Sequence, residues 1–368
     1  MMEKIRIAVI FGGRSGEHEV SLMSARSVLE VLDPQKYEVI QIGITPQGEW
    51  LGGEDVITSF EEKQYKSLIP VIMLPEPRQG QLYHLQNNAL HLAQKIDVVF
   101  PLVHGTFGED GTLQGLLELA DVPYVGGGVL ASSVGMDKSL FKDVMRANGI
   151  LVADSLLFTR HNLQEQLEAC IRQIEARLAY PVFVKPVNLG SSVGITKCNN
   201  PSSLLEGLLE ASRYDRRVLV EQGINGREIE ISVLGNEDPI ASVPGEIEPV
   251  EEFYTYSAKY LSNASRLIIP AKLDETIAAS IHQIALQAYR AVDGAGMARV
   301  DFLVERESNR IFLSEVNTIP GFTRISMYAK LWEASGISYT TLIDRLVELA
   351  FERKQDRDQT VRVYRSAE

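Results

Sequence analysis

The feature that most restricts the fold is a predicted hairpin near residue 300, in which acidic and apolar side chains alternate. One strand is predicted for ARVDFLVE and the next for RIFLSEVN, with a turn about Ser308 between them. Side chains two apart on a strand share a face, so Arg299 lies beside Asp301 and Glu315 beside Asn317. The turn places Asp301 opposite Glu315, which predicts a sheet with one charged face.

This charged face predicts a metal site. Asp301 and Glu315 would repel each other when directly opposed. The face also carries apolar neighbours, which raise the cost of desolvating the two carboxylates: Leu303, Ile311 and Leu313. A cation would remove that cost, and ligands that are all oxygen favour Mg²⁺ over zinc. The alternative is a solvent-facing strand pair with ordinary surface charges.

A glycine-rich turn at 188–194 predicts a second chemical site. It follows an apolar strand that ends near Lys185, where a lysine is costly unless an anion meets it. Small residues such as Gly190 and Ser191 let backbone N–H groups converge on phosphate oxygens. The turn lacks the Gly-Lys-Ser/Thr of a P-loop, so a plain hairpin tip is the alternative. Lys138, on the predicted helix MDKSLFKDVM, is either a second phosphate contact or a surface lysine.

Two glutamates accompany the next predicted strand, VLVEQ. Glu221 ends that strand, and Glu228 lies seven residues later. Carboxylates at such positions can accept hydrogen bonds from ribose hydroxyls. An exposed loop glutamate is the alternative for each.

The order of predicted elements indicates several domains. A buried strand at 5–11, a Gly-rich turn and a helix open the chain, and further strands predict a three-layer α/β domain over 1–126. A small α+β unit is predicted over 127–225, beginning with SSVGMDKSLFKDVMRANGI as one helix, and a third unit over 226–368. Residues 47–95 have no clear pattern. A length of 368 residues agrees with two or three domains.

Composition disfavours several classes of protein. The net charge of −13 disfavours nucleic acid and anionic membranes as partners. No segment reaches the roughly 20 apolar residues of a transmembrane helix, and no signal peptide is recognisable. Cys170 and Cys198 lack metal-type spacing, so we expect inert thiols in a reducing compartment. These features predict a cytoplasmic protein.

Several motifs occur in an order that resembles a known family: GGRSGEHEVS, FPLVHGTFGEDGTLQG, VGMDKSLFK, VFVKPVNLGSSVGI, EQGINGREIE, FYTYSAKY, MARVDFLVE and SEVNTIPGFT. The series resembles ATP-grasp enzymes and, within them, the D-alanine–D-alanine ligase family. GEHEVS, HGTFGEDGTLQG and YSAKY are the most specific segments. The resemblance implies an α/β fold with three-domain ATP-grasp architecture, α+β in its ATP-binding part. It also implies ATP-dependent joining of two D-alanines for peptidoglycan precursor synthesis.

The resemblance implies roles in binding ATP and metal. The phosphates would meet Lys138 and Lys185. The adenine would meet Glu221, Gln222, Gly223 and Ile224, and the ribose would meet Glu228. Two Mg²⁺ ions, for which Mn²⁺ would substitute, would be ligated by Asp301, Glu315 and Asn317. Gln222 and Gly223 replace a lysine and a tryptophan of some members, which changes side-chain packing at the adenine.

The resemblance also implies roles around the two amino acids. The first D-alanine would have its ammonium on Glu17, with His104 nearby. The carboxylate of the second would meet Ser326. The oxyanion would be stabilised by Arg299 and the backbone of Gly321.

A loop at 251–263 would close over the site and exclude water from an acyl-phosphate intermediate. It would carry Lys259 as a substrate contact. In the family a Glu–Ser–Tyr hydrogen-bonded set links that loop to the substrate domain, here Glu17, Ser191 and Tyr260. Hydrogen bonding around Tyr260 and Ser191 would help to deprotonate the incoming amine. The resemblance further implies a homodimer.

Rival functions are separable on the sequence. In D-alanine–D-lactate ligases a histidine takes over charge near the second substrate. This chain has Tyr254, Tyr256 and Tyr260 in the loop and no histidine between His161 and His282, which favours an amine nucleophile. GEHEVS argues against other ATP-grasp ligases, and the intact metal and lysine set argues against a nucleotide-binding protein that has lost catalysis. A dehydrogenase would need GxGxxG spacing, which GGRSG lacks.

Overall fold

The computed structural model describes residues 3–77, 80–249 and 265–362. The predicted closing loop at 251–263, with Lys259 and Tyr260, lies outside these ranges.

The first sheet is mixed, with β1 parallel to β2 and β7 and the remaining pairs antiparallel. Its order is β6-β5-β4-β3-β2-β1-β7. The strands are β1 (Ile5–Gly12), β2 (Tyr37–Ile44), β3 (Trp50–Gly52), β4 (Ile69–Met73), β5 (Gln81–Gln86), β6 (Ala89–Lys95) and β7 (Val98–Pro101). The accompanying helices are α1 (His18–Leu29), α2 (Val56–Glu61) and α3 (Thr112–Leu119).

The second sheet is antiparallel, in the order β10-β9-β11-β8. Before it in the chain come α4 (Val129–Met136) and α5 (Lys138–Ala147). The sheet and its helices are β8 (Ser155–Thr159), α6 (Arg160–Glu175), β9 (Val182–Pro186), β10 (Thr196–Cys198), α7 (Pro201–Tyr214) and β11 (Arg217–Gln222). Val184 and Val220 pack with α6 and α7, so Lys185 and Glu221 project from the opposite face.

The third sheet has the order β15-β14-β12-β16-β17, with β13 pairing β12. Its strands are β12 (Gly226–Leu234), β13 (Ile240–Ala241), β14 (Gly245–Pro249), β15 (Ser265–Ile268), β16 (Met297–Glu305) and β17 (Ile311–Asn317). The helices of this part are α8 (Glu275–Ala291), α9 (Met327–Ala334) and α10 (Tyr339–Arg357). None of the helices in the described ranges has the length and apolar character needed to traverse a bilayer.

The three-layer prediction for the start of the chain agrees with the packing of β1. Ile7 and Val9 on one face pack in a core with residues of α1, α2 and α10. Ala8 and Ile10 on the other face pack with residues of α3. The last helix, predicted within 226–368, thus completes the core of the first sheet. The three sheets lie within the three predicted ranges, and the division into domains stays a prediction.

One local expectation differs from the structure, and one unassigned segment is now assigned. The predicted single helix over SSVGMDKSLFKDVMRANGI is two helices, because Asp137 has extended backbone and caps α5 by accepting a hydrogen bond from the Leu140 N–H. Residues 47–95, which had no assignment, contain α2 and the four strands β3 to β6 that extend the first sheet.

Candidate active site

The hairpin of β16 and β17 has the predicted register at its charged end. Asp301 pairs with Glu315, and Arg299 pairs with Asn317. Arg299 donates two hydrogen bonds to Asp301, at 2.8 and 2.7 Å, and forms an ion pair with Glu230 at 3.0 Å. Burial alone would lower the pKa of Arg299, but the charges of Asp301 and Glu230 outweigh burial and raise the pKa well above its usual value. The guanidinium is therefore held charged on this face.

One part of the hairpin prediction is wrong. A β-bulge between Asp301 and Phe302 shifts the register by one residue. Phe302 pairs with Leu313, and both belong to the apolar core on the opposite face. Ile311 pairs with Val304 and packs against the same core. Leu313 and Ile311 are therefore not neighbours of the carboxylates, and Leu303 has Phe312 as its cross-strand partner.

The donor atoms on the charged face fit a hard cation. In the described part of the chain, no group of three or more His, Cys, Asp or Glu side chains is placed to hold a metal. The candidate ligands on this face are the carboxylates of Asp301 and Glu315 and the amide of Asn317. The Asn317 amide donates to Asp301 at 3.0 Å and to Glu315 at 3.3 Å. Turning that amide over would present its oxygen in the same direction. Carboxylate and amide oxygens are the ligands that Mg²⁺ takes.

A cleft lies over this face. Its volume is about 820 Å³, including the space that is open to solvent. It brings together residues from all three parts of the chain. The predicted site residues that line it are Glu17, His104, Lys138, Ser191, Arg299, Glu315, Asn317 and Gly321.

Glu17 links the first sheet to the glycine-rich turn. It precedes α1, is 7% exposed, and accepts a hydrogen bond from the Ser191 hydroxyl. A Cβ built on Gly190 or on Gly105 would lie 2.5 Å from Glu17 Oε2. Side chains at those two positions would displace the carboxylate, so the glycines allow two backbone segments to close around it.

The glycine-rich turn connects β9 and β10 through left-handed backbone. Ser191 and Ser192 have φ of 49° and 59°, and Gly194 has φ of 70°. Lys138, at the start of α5, reaches the turn and donates to the Leu189 carbonyl at 2.6 Å. Lys138 is thus a cleft residue rather than a surface lysine, and burial lowers its pKa.

Glu221 lies between two ammonium groups. Its Oε2 is 3.2 Å from Lys185 Nζ and 3.3 Å from Lys142 Nζ. Burial would raise the pKa of Glu221, but the two lysines outweigh burial and lower the pKa below its usual value. Lys142 was not among the predicted site residues, although it lies one helical turn after Lys138 and therefore on the same side of α5.

The residues after Glu221 form a tight connection to β12. The Gln222 amide donates to and accepts from the backbone of Ala179, both at 2.8 Å. The Gly223 N–H donates to the Pro181 carbonyl at 2.9 Å, and a Cβ at Gly223 would lie 2.6 Å from that oxygen. A side chain at residue 223 would therefore require the Pro181 backbone to shift.

Glu228 and Ile224 lie outside the residues that line the cleft, and both are partly exposed. Glu228 pairs with Leu303 on β16, and Glu230 pairs with Asp301. Glu228 is therefore on the same face of the third sheet as the charged hairpin residues. It lies two residues before Glu230 on β12 and is farther from Asp301 than Glu230 is.

His104 is buried and has a partner at each ring nitrogen. Nδ1 is 3.1 Å from the Ile319 carbonyl oxygen, and Nε2 is 2.9 Å from Ser24 Oγ. Burial lowers the pKa of His104 to about 4, so the ring is neutral at physiological pH. A carbonyl accepts only, so Nδ1 donates to Ile319 and Nε2 accepts from the Ser24 hydroxyl. Ser24 Oγ in turn accepts from the Phe322 N–H at 3.2 Å. His104 thus holds the segment that contains Gly321.

Glu109 is a cleft residue to which the sequence analysis gave no role, although it lies in the quoted segment HGTFGEDGTLQG. Its Oε2 accepts from the Gly105 N–H at 2.6 Å. Burial raises the pKa of Glu109 to about 8, and the charge of Glu17 adds to that increase. Its hydrogen bond also fixes the backbone next to His104.

Ser326, just before α9, makes hydrogen bonds to the segment that follows β17. Its hydroxyl oxygen is 3.0 Å from the Thr323 N–H and 2.7 Å from the Thr323 hydroxyl. A Cβ built on Gly321 would be 3.4 Å from the same oxygen. Ser326 is therefore a neighbour of Gly321, which lines the cleft, but is not itself among the lining residues.

Comparison with family models gives two matches that together span most of the chain. The model described as D-ala D-ala ligase N-terminus matches residues 6–127. The model described as D-ala D-ala ligase C-terminus matches residues 144–348.

Individual proteins match over nearly their full length. A D-alanine--D-alanine ligase of Natranaerobius thermophilus is 47% identical over 359 residues, which are 97% of this chain and 98% of that protein. The solved D-alanine-D-alanine ligase of Coxiella burnetii is 38% identical, with a TM-score of 0.84 and coverage of 97% of both chains. The solved VanG D-Ala:D-Ser ligase of Enterococcus faecalis is also 38% identical, with a TM-score of 0.84 over 95% of this chain and 100% of that chain.

Proposed function

The chain belongs to the D-alanine–D-alanine ligase family of ATP-grasp enzymes, and we propose that both steps of its reaction take place in the cleft between Glu17, Lys138 and Glu315. It is an ATP-dependent ligase that joins two D-alanines for peptidoglycan precursor synthesis. A carboxylate is a poor electrophile, so one D-alanine must first be activated.

The first step forms an acyl phosphate. Glu17 binds the ammonium of the first D-alanine, whose carboxylate oxygen attacks the γ-phosphorus of ATP while ADP leaves. Lys138 and Lys185 bind the phosphates and stabilise the charge that develops there. His104 is neutral and acts by holding the segment of Gly321 in place.

The nucleotide occupies the space between the second and third sheets. The adenine is contacted by Glu221 and the three residues after it, Gln222, Gly223 and Ile224. The ribose is contacted by Glu228. The ion pairs of Glu221 and the position of Glu228 on the charged face support this assignment.

Asp301, Glu315 and Asn317 would hold two Mg²⁺ ions, for which Mn²⁺ would substitute. Bound Mg²⁺ neutralises phosphate charge during phosphoryl transfer. The all-oxygen donor set and the direct opposition of Asp301 and Glu315 support the assignment.

The second step forms the peptide bond. Ser326 binds the carboxylate of the second D-alanine, whose amine attacks the acyl carbon and expels phosphate. Arg299 and the Gly321 N–H stabilise the tetrahedral oxyanion. Ser191 and Tyr260 assist loss of the amine proton, and Lys259 contacts substrate.

The observation that carries this proposal is the contact of Glu17 with Ser191 above the hairpin carboxylates. It brings a residue before α1, the tip of the glycine-rich turn and the metal face to one cleft. We further propose the division into domains at 1–126, 127–225 and 226–368, a homodimer, and a cytoplasmic location.

One assay tests the reaction and its second substrate together. Purified protein with ATP, Mg²⁺ and D-alanine should release phosphate and D-alanyl-D-alanine. D-Serine and D-lactate are added separately, because one solved relative is named a D-Ala:D-Ser ligase. Phosphate release that requires D-lactate would contradict an amine nucleophile, and a clear preference for D-serine would reassign the second substrate.

Glu17→Gln should raise the KM for D-alanine and leave the KM for ATP nearly unchanged.

A further inference from the structure

Lys142 is a buried lysine that the proposed mechanism does not use. It lies on α5, and its side chain is 2% exposed. Burying an ammonium is costly unless a negative charge compensates it. Glu221 Oε2, 3.3 Å away, is that charge.

Lys185 shares the same carboxylate oxygen. Its Nζ is 3.2 Å from Glu221 Oε2, and its side chain is 17% exposed. Lys185 can therefore reach a ligand, whereas the side chain of Lys142 is almost fully enclosed. The ammonium groups of Lys142 and Lys185 thus share one largely buried carboxylate, and the three groups have a net charge of +1.

ATP binding would change the balance at this point. When Lys185 turns to the phosphates, Lys142 is the one ion-pair partner left to Glu221 among the described residues. A buried carboxylate left without a counter-charge would either take up a proton or move out of place. Burial lowers the pKa of Lys142 and the charge of Glu221 opposes that decrease, which agrees with a pair in which each ion depends on the other.

We propose that Lys142 is a positioning residue, which holds Glu221 ionised and in place at the nucleotide base while Lys185 exchanges Glu221 for the phosphates of ATP. This inference rests on the proposed roles of Lys185 and Glu221 in the nucleotide site. It adds a residue that never touches ATP but sets the affinity for it.

The test compares Lys142→Met with wild type in nucleotide binding and turnover. Without a charge on residue 142, we expect the Kd and KM for ATP to rise by about tenfold or more. At saturating ATP, kcat should stay within about threefold of wild type, because the reacting groups are intact. The preference for ATP over GTP should also decrease, since Glu221 would no longer be fixed. Lys354→Met is the matched control, because Lys354 is a mostly buried lysine with ion pairs to Asp121 and Asp358 outside the cleft.

A double-mutant cycle separates positioning from packing. In a Glu221→Gln background there is no carboxylate charge left to hold, so adding Lys142→Met should change the ATP KM by less than about twofold. Additive effects would overturn the proposal. If Lys142→Met alone does not fold, the double variant should still fold, and its failure to fold would show that Lys142 is only a packing residue.

The same experiment separates this inference from the function on which it rests. Lys185→Ala and Glu221→Gln should each weaken ATP binding. If neither does, the nucleotide site itself is misassigned. If both do and Lys142→Met binds ATP like wild type, only the role of Lys142 is wrong.

Discussion

The Ser191 hydroxyl donates a hydrogen bond to the Glu17 carboxylate across 174 positions of sequence. Glu17 belongs to the part of the chain built on the first sheet, whereas Ser191 is at the tip of the turn that follows β9. The contact orients a buried carboxylate toward the cleft. It also ties the turn that would bind phosphate to the residue that would bind the first D-alanine.

Ser191→Ala tests that contact. A hydrogen bond to a charged group contributes about 1.5–3 kcal/mol, so kcat/KM for D-alanine should fall by roughly 10- to 100-fold. Steady-state kinetics with D-alanine varied at saturating ATP measures this change. Ser202→Ala, at the exposed start of α7, is the control and should behave as wild type. An unchanged kcat/KM in Ser191→Ala would mean that Glu17 is oriented without the hydroxyl.

Glu315→Ala tests the metal face. Loss of a carboxylate opposite Asp301 should abolish turnover, with at least about a hundredfold loss, because phosphoryl transfer depends on charge stabilisation. Circular dichroism should show a folded protein. Glu305→Ala is the control, since Glu305 lies at the far end of the same hairpin and pairs with Arg310. Normal turnover in Glu315→Ala would refute the metal assignment.

The buried ring of His104 predicts a pH dependence of stability. Its pKa is about 4 in the folded protein, against 6.5 for a histidine of the unfolded chain. Between these values the unfolded chain binds more protons, so the free energy of unfolding falls as pH falls. The contribution is complete above pH 6.5 and is lost progressively toward pH 4, by about 3 kcal/mol. Urea unfolding at several pH values measures it.

His104→Gln removes the titrating ring. Its unfolding free energy should be lower than that of wild type at pH 7.5, where two hydrogen bonds of the ring are lost, but should decrease less between pH 6.5 and 4. His161→Gln is the control, because His161 is exposed. If the unfolding free energies of wild type and His104→Gln change with pH in parallel, the pKa of His104 is not lowered by folding.

The charged hairpin was the best predicted part of the site, because its register follows from strand periodicity and a short turn. Asp301 and Glu315 do pair. The bulge beside Asp301 has no signal in the alternation of side chains, so Leu313 was placed on the wrong face. The bulge brings Phe302 and Leu313 into the same core as cross-strand partners, a long-range contact that a local pattern does not contain.

Long-range contacts account for the residues that the sequence analysis missed. The role of Lys142 depends on β11, which brings Glu221 to α5, and that of Glu109 depends on the contact of its carboxylate with Gly105 beside Glu17. Similarly, residues 47–95 contain short strands whose pattern is weak because β5 and β6 lie at an exposed edge. The motifs identified the family, but burial and ion pairing, which depend on the fold, set the protonation state of each ionisable group in the site.

The close approach of Gly190 to Glu17 gives the last prediction. A Cβ at residue 190 would lie 2.5 Å from Glu17 Oε2, so Gly190→Ala must displace either the turn or the carboxylate. Because Gly190 has no left-handed φ, the substitution adds only this collision and little backbone strain. We therefore expect the KM for D-alanine to rise by about tenfold or more, with a smaller change for ATP.

The control for this substitution is Gly115→Ala in α3, where a Cβ would meet nothing within 4 Å. That variant should keep wild-type kinetics and gain roughly 0.5–1 kcal/mol of stability, because alanine is favoured over glycine inside a helix. If Gly190→Ala raises the KM for ATP and D-alanine equally, the turn as a whole has moved. A selective effect on D-alanine would locate the ammonium site at Glu17, since Glu17 is the group that the new methyl would contact.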